Sequence, residues 1–167
     1  MQRGVSTLTM LPSDIETYCE QNGIDMVVFS VRDSRTAIQP CLDACRTLRL
    51  PYMFLTPLTT HLRPLSRLLL PVTMLEEEVY KAQLATTLVR KTGCTVCILP
   101  AHDYGSKARQ NTNRIMTVLQ QAEAQMETLD AMKDSLHIYR EVTDRSNDFN
   151  ADMLFWTASR DYGLDDI

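Results

Sequence analysis

The chain has 167 residues, 44% of them hydrophobic, and a formal net charge of −4 from 17 Lys and Arg against 21 Asp and Glu. That length suits one ordinary domain or two small units, with a core large enough to need no disulfide or metal. No basic block points to nucleic acid, and no apolar run reaches the roughly 20 residues of a membrane-spanning helix. The opening MQRGVSTLTMLPSD lacks the apolar core of a signal peptide, so a soluble, cytoplasmic protein is expected. Five cysteines, an odd number, fit free thiols better than a disulfide framework.

LPSDIETYCEQNG predicts a short helix, with Ser13 as its cap and Glu16 three residues on to complete a capping box. Ile15, Tyr18 and Cys19 share a face, and Gly23 ends it. IDMVVFSV, rich in valine, predicts a strand buried on both faces. RTAIQPCLDACRTLRL has helical spacing through Ile38, Cys41, Leu42, Cys45 and Leu48, with Pro40 expected in the first turn, where a missing N–H is harmless. PYMFLTP predicts a second strand between Pro51 and Pro57. Residues 58–66 then read as a connector.

RLLLPVT predicts a strongly apolar strand, and MLEEEVYKAQLATTLVRKTG is the clearest helix. Glu76, Glu77 and Glu78 sit at its positive end and Arg90 and Lys91 at its negative end. Val79, Ala82, Leu88 and Val89 form its apolar stripe, and Gly93 stops it. CTVCILP predicts a strand. KARQNTNRIMTVLQQAEAQMETLDAMKD reads as one long helix through Ile115, Met116, Leu119, Ala122, Met126 and Leu129, its methionines ordinary core. SLHIYREVTD and ADMLFWTAS are the last predicted strands, with the polar RSNDFN between them. Strands alternating with helices imply an α/β fold: an open, mainly parallel, twisted sheet with helices on both faces. One internal echo stands out. NGIDMVVFSVRDS and FNADMLFWTASRD share an Asp-Met before an apolar run and an Arg-Asp after it, which suggests two copies of one strand.

Cys94 and Cys97 form a CxxC, a redox or metal signal when it opens a helix. Within a strand, three residues separate the Cα atoms by about 10 Å and turn the side chains to opposite faces, beyond the ~7 Å reach of a disulfide. Both are therefore expected to be structural, as are Cys41 and Cys45 on a helix's apolar face. His102 and Asp103 follow a strand at the sheet edge where open α/β proteins bind ligands. No nucleophile or third group is placed by sequence to complete a mechanism, so catalysis by this pair, in a small hydrolase or thiol enzyme, is the weakest of the readings.

RLLLPVT, an acidic helix start with Ala82 and Ala85, and a strand after Thr-Gly together resemble the opening of a universal stress protein domain, where an apolar strand ends in Val-Asp-Gly-Ser. ADMLFWTASRDYGLDD is similar to that family's fourth strand. LPSDIETYCEQNGIDMVVFS resembles its third helix and fourth strand, and CRTLRLPYMFLTP the end of its fourth helix and its fifth strand. The resemblance implies an adenine nucleotide alpha hydrolase-like fold, and it divides the chain into a back half of one unit (1–57), a connector (58–66) and the front part of a second unit (67–167), as in a stretch of a tandem pair.

Nucleotide-binding members of that family hold ATP with an aspartate at the end of the first strand and cradle its phosphates with Gly-x2-Gly-x9-Gly-Ser/Thr after the fourth. Here Thr73, followed by Met74, stands at the aspartate position. Ser30 and Asp33 occupy the leading glycine positions in one unit and Thr157 and Arg160 in the other. Side chains there crowd the approach of backbone N–H groups to phosphate. The resemblance therefore implies a regulatory or interaction domain with a degenerate nucleotide site, no catalysis, no cofactor and a homodimer, the family's fifth strand matching PYMFLTP. The alternative is an ATP- or AMP-binding protein in which Arg32, Arg35 and Arg160 replace the glycine contacts.

Overall fold

The computed structural model describes residues 7–31, 35–46, 48–55 and 64–158. The chain divides into two units, residues 1–62 and 63–167.

In the first unit a 3-10 turn, Pro12–Asp14, leads into α1 (Ile15–Asn22). Gly23 ends the helix in the left-handed region at φ 59, its N–H bonded to the Cys19 carbonyl. β1 (Val27–Ser30), α2 (Arg35–Cys45) and β2 (Tyr52–Leu55) follow as one β-α-β step, with the two strands parallel and in register from Val27 opposite Tyr52 to Ser30 opposite Leu55. Alternation along β1 sends Phe29 into a core with Cys19, Val31, Cys45 and Leu48, and Phe29 stacks on Phe54 at 5.3 Å. Three expectations are corrected here. The expected capping box is absent, since Asp14 takes the cap position without a side-chain cap bond and the Ser13 hydroxyl donates to the Asp14 carboxylate. Pro40 lies in the second turn of α2, because the helix already runs from Arg35, and one main-chain hydrogen bond is lost there. Among the described residues of the first unit, only one face of β1 is packed into the core. Val28 turns away from the core and is 50% exposed.

Among its described residues, the second unit holds a four-stranded, wholly parallel sheet. Its strands are β3 (Arg67–Val72), β4 (Thr95–Pro100), β5 (Met126–Thr128) and β6 (Met153–Leu154), in the order β5-β4-β3-β6. The apolar run of β3 is buried on both faces because helices cover both. Leu68, Leu70, Val96 and Ile98 face α3 (Lys81–Thr92) and the body of α4 (Lys107–Gln121). Leu69, Cys97 and Leu99 face α5 (Ile138–Asp144) and α6 (Ser146–Phe149). The chain steps outward from β3 through β4 to β5, then crosses the other face and returns to place β6 beside β3.

Three further expectations fail in this unit. The long helix ends at Gln121, Glu123 turns with φ 55, and Met126 enters β5 opposite Val96. The helical spacing continues through that break because Met126 packs into the same core as Ile115 and Leu119 from a strand instead. SLHIYREVTD is the helix α5 rather than a strand, with Ile138 and Val142 one turn apart and buried. RSNDFN carries the short helix α6, whose Phe149 is buried.

Candidate functional site

The strand order reverses between β3 and β6, and in open parallel sheets ligands bind outside the carboxyl ends of the strands at that point. Thr73 stands just past β3 and Thr157 just past β6. The structure brings these two together on a side chain that sequence reasoning assigned to the positive end of a helix, Glu78. A 3-10 turn, Glu76–Tyr80, precedes α3 and turns Glu78 inward until it is 2% exposed. Its Oε1 accepts the Thr73 hydroxyl at 2.6 Å and the Thr73 N–H at 3.3 Å. Its Oε2 accepts the Thr157 hydroxyl at 2.9 Å and pairs with the Lys81 ammonium. Lys81 is itself buried and also donates to the Pro71 carbonyl. Burial pushes the Lys81 pKa down, and the Glu78 charge beside it opposes that shift.

Hydrogen bonds fix the surroundings of this pair. Asn111, buried on α4, donates to the carbonyls of Thr73 at 3.0 Å and Leu75 at 2.7 Å, clamping the loop after β3. The Met74 N–H donates to the Ser135 hydroxyl at 2.9 Å. Ser135 in turn donates its hydroxyl and its N–H to the two oxygens of Asp103, at 2.5 and 2.7 Å. Asp103 thus staples the loops after β4 and β5 to the loop after β3. His102 is exposed, and its N–H goes to the Lys133 carbonyl at 2.8 Å. Behind the loop after β5, Glu141 is buried and accepts the N–H groups of Met132 and Lys133, while Arg145 answers its charge.

Ser30 is exposed at the end of β1 in the first unit. Arg32, Asp33 and Arg160 lie outside the described residues, as does the side chain of Arg35. Cys94 and Cys97 enter the cores on opposite faces of the sheet, and both are free thiols. Burial pushes the Cys97 thiol up. Among the described residues no group of three or more His, Cys, Asp or Glu is placed to hold a metal ion, and no helix is long and apolar enough to cross a membrane.

Of the crevice residues, Asn111 carried a readable signal. It falls on the stripe Ala108, Thr112, Ile115, Leu119 of α4, where an amide among apolar positions implies buried main-chain partners. Ser135 and Glu141 carried none, because their hydrogen bonds depend on loop paths the sequence does not specify.

No protein-family model matches the sequence, and no curated protein matches it. The class rests on the architecture alone: an α/β protein with parallel strands, whose larger unit is an open sheet covered by helices on both faces.

Proposed function

We propose that this chain is a regulatory or interaction protein of the universal stress kind, without catalysis, in which the nucleotide crevice is closed by the protein's own side chains. The observation that carries this reading is the Glu78 carboxylate at the carboxyl ends of β3 and β6, bonded to Thr73, Thr157 and Lys81. A nucleotide seated there would have to displace that carboxylate from a buried ion pair or bring phosphate against it. At ~4 Å and an effective dielectric of about 20, one such repulsion costs about 4 kcal/mol, roughly three decades of affinity. On the resemblance, the Thr157 hydroxyl also occupies a position where phosphate recognition favours bare backbone.

Calorimetry with ATP and with AMP, each with magnesium, tests the reading. Binding weaker than millimolar and no hydrolysis above background are expected. A micromolar dissociation constant lost on replacing Arg160 would favour the arginine-contact alternative instead. Asp103 supports the non-catalytic reading in a second way, because both its oxygens are engaged by Ser135 rather than by His102. A regulatory protein of this kind acts through surfaces, and self-association through open strand edges is part of the proposal.

A further inference from the structure

Four donors converge on one point of the crevice: the Thr73 hydroxyl and N–H, the Thr157 hydroxyl and the Lys81 ammonium. They come from the ends of two neighbouring strands and the first residue of α3, and at least three of them sit on buried residues. Converging N–H, O–H and ammonium groups at the switch point of a parallel sheet are the makings of an anion site. Their acceptor is a side chain of the same molecule. We propose that these donors form a carboxylate-binding site whose resident ligand is the chain's own Glu78, and that a free monocarboxylate takes its place when that side chain is cut back.

Size and charge select the ligand class. Glu78→Ala would vacate the volume of one methylene and one carboxylate, which formate or acetate fills. A single ammonium answers one negative charge, and hydroxyls on both sides match the two oxygens of a planar carboxylate. A tetrahedral phosphate carries more charge than Lys81 neutralises and more volume than the side chain leaves. The resident carboxylate also ties the end of β3 to the end of β6, so filling the emptied site should restore stability as well as contacts.

This inference rests on the closed-crevice reading but is tested separately from it. Thermal unfolding of Glu78→Ala is followed in rising formate or acetate against chloride at equal ionic strength. The variant's midpoint should climb and saturate with carboxylate, while the wild type, its site already filled, responds no differently to acetate and chloride. Thr157→Val in the Glu78→Ala background removes one donor and should raise the half-saturating acetate concentration about tenfold. If Glu78→Ala does not fold in chloride, recovery of native circular dichroism in saturating formate supports the site, and failure to recover overturns it. Equal midpoint shifts from acetate and chloride would overturn it too, and so would phosphate stabilising the variant as well as acetate. Nucleotide binding to the wild type would sink the closed-crevice reading while leaving the variant's anion response to be judged on its own.

Discussion

A carboxylate at 2% exposure persists only if its charge is answered, and Glu78 is answered by one ammonium and three neutral donors. Such a pair is fragile in a particular way. Removing one partner strands the other charge and costs about 3–5 kcal/mol, whereas replacing both with neutral groups of similar shape is close to neutral. Lys81→Met should therefore destabilise by that amount in urea titrations, and Glu78→Gln with Lys81→Met by much less; additive losses would contradict the buried pairing. The same burial has a pH signature. Because the folded Lys81 pKa is pushed below its ordinary 10.5, the unfolded chain binds more protons between that lowered value and 10.5. This group thus makes stability rise with pH across that window, and Lys81→Met should flatten the rise. The pair was open to a sequence reading. Glu78, Lys81, Ala82 and Ala85 share the helix stripe that faces the sheet, but an acidic triplet before a helix also fits the macrodipole, and that explanation absorbed Glu78. Thiols tell a simpler story. Burial, with Cys41 adding to it, pushes Cys45 to about 11, so the thiolate fraction at pH 8 is about one in a thousand. Alkylation of Cys45 in the native protein should be negligible at pH 8, and labelling at the rate of a free peptide thiol would contradict its packing.

At the scale of elements, the internal echo in the sequence has a counterpart in the backbone. α1 ends at Gly23 with φ 59, then Asp25 precedes β1; α6 ends at Asn150 with φ 44, then Asp152 precedes β6. Asp152 accepts the N–H groups of Ser66 and Arg67, both at 2.9 Å, and so fastens the start of β6 to the start of β3. The left-handed turns are what both copies need, and glycine and asparagine are the residues that adopt them most readily. Nothing lies within 4 Å of a Cβ built at Gly23, so Gly23→Ala should cost only the backbone strain, about 1–2 kcal/mol, and Asn150→Gly should cost nothing or stabilise slightly. Chemical denaturation checks both, and a neutral Gly23→Ala would deny the turn its role. The parallel strands and the helices stopped by Gly23 and Gly93 were legible because apolar runs and cap residues are local signals. β5 and α5 were not. β5 is three residues long and exists because β4 offers it an edge, and α5 alternates polar and apolar residues closely enough to read as a strand. The crevice was half legible. Thr73 and Thr157 were placed at strand ends by pattern, but their common partner depends on a 3-10 turn that pattern does not specify.

For the whole molecule, the two copies of the repeated strand use opposite edges. The N–H groups of Val27 and Val31 point to β2, while that of Phe155 points to β3. Aligned on their Asp-Met pairs, Phe155 corresponds to Val28, and neighbouring residues of a strand direct their N–H groups to opposite edges. Among the described residues, β1 therefore leaves open the edge that β6 closes, and β6 leaves open the edge that β1 closes. Open edges next to exposed apolar side chains are templates for pairing with another chain, and Val28, Leu154 and Trp156 are all exposed. Parallel sheets are ordinarily covered on both faces, and the exposed Val28 marks a face of β1 that a second chain can cover. The expected state is a dimer at micromolar concentration, seen as a single boundary of twice the chain mass in sedimentation velocity. Charged residues blunt strand edges, so Val28→Lys or Leu154→Lys should shift the boundary toward monomer. The folded circular dichroism should be retained, because neither side chain belongs to a buried core. A wild type that sediments as a clean monomer at that concentration would show that the edges are closed within one chain, and self-association would drop out of the proposed function.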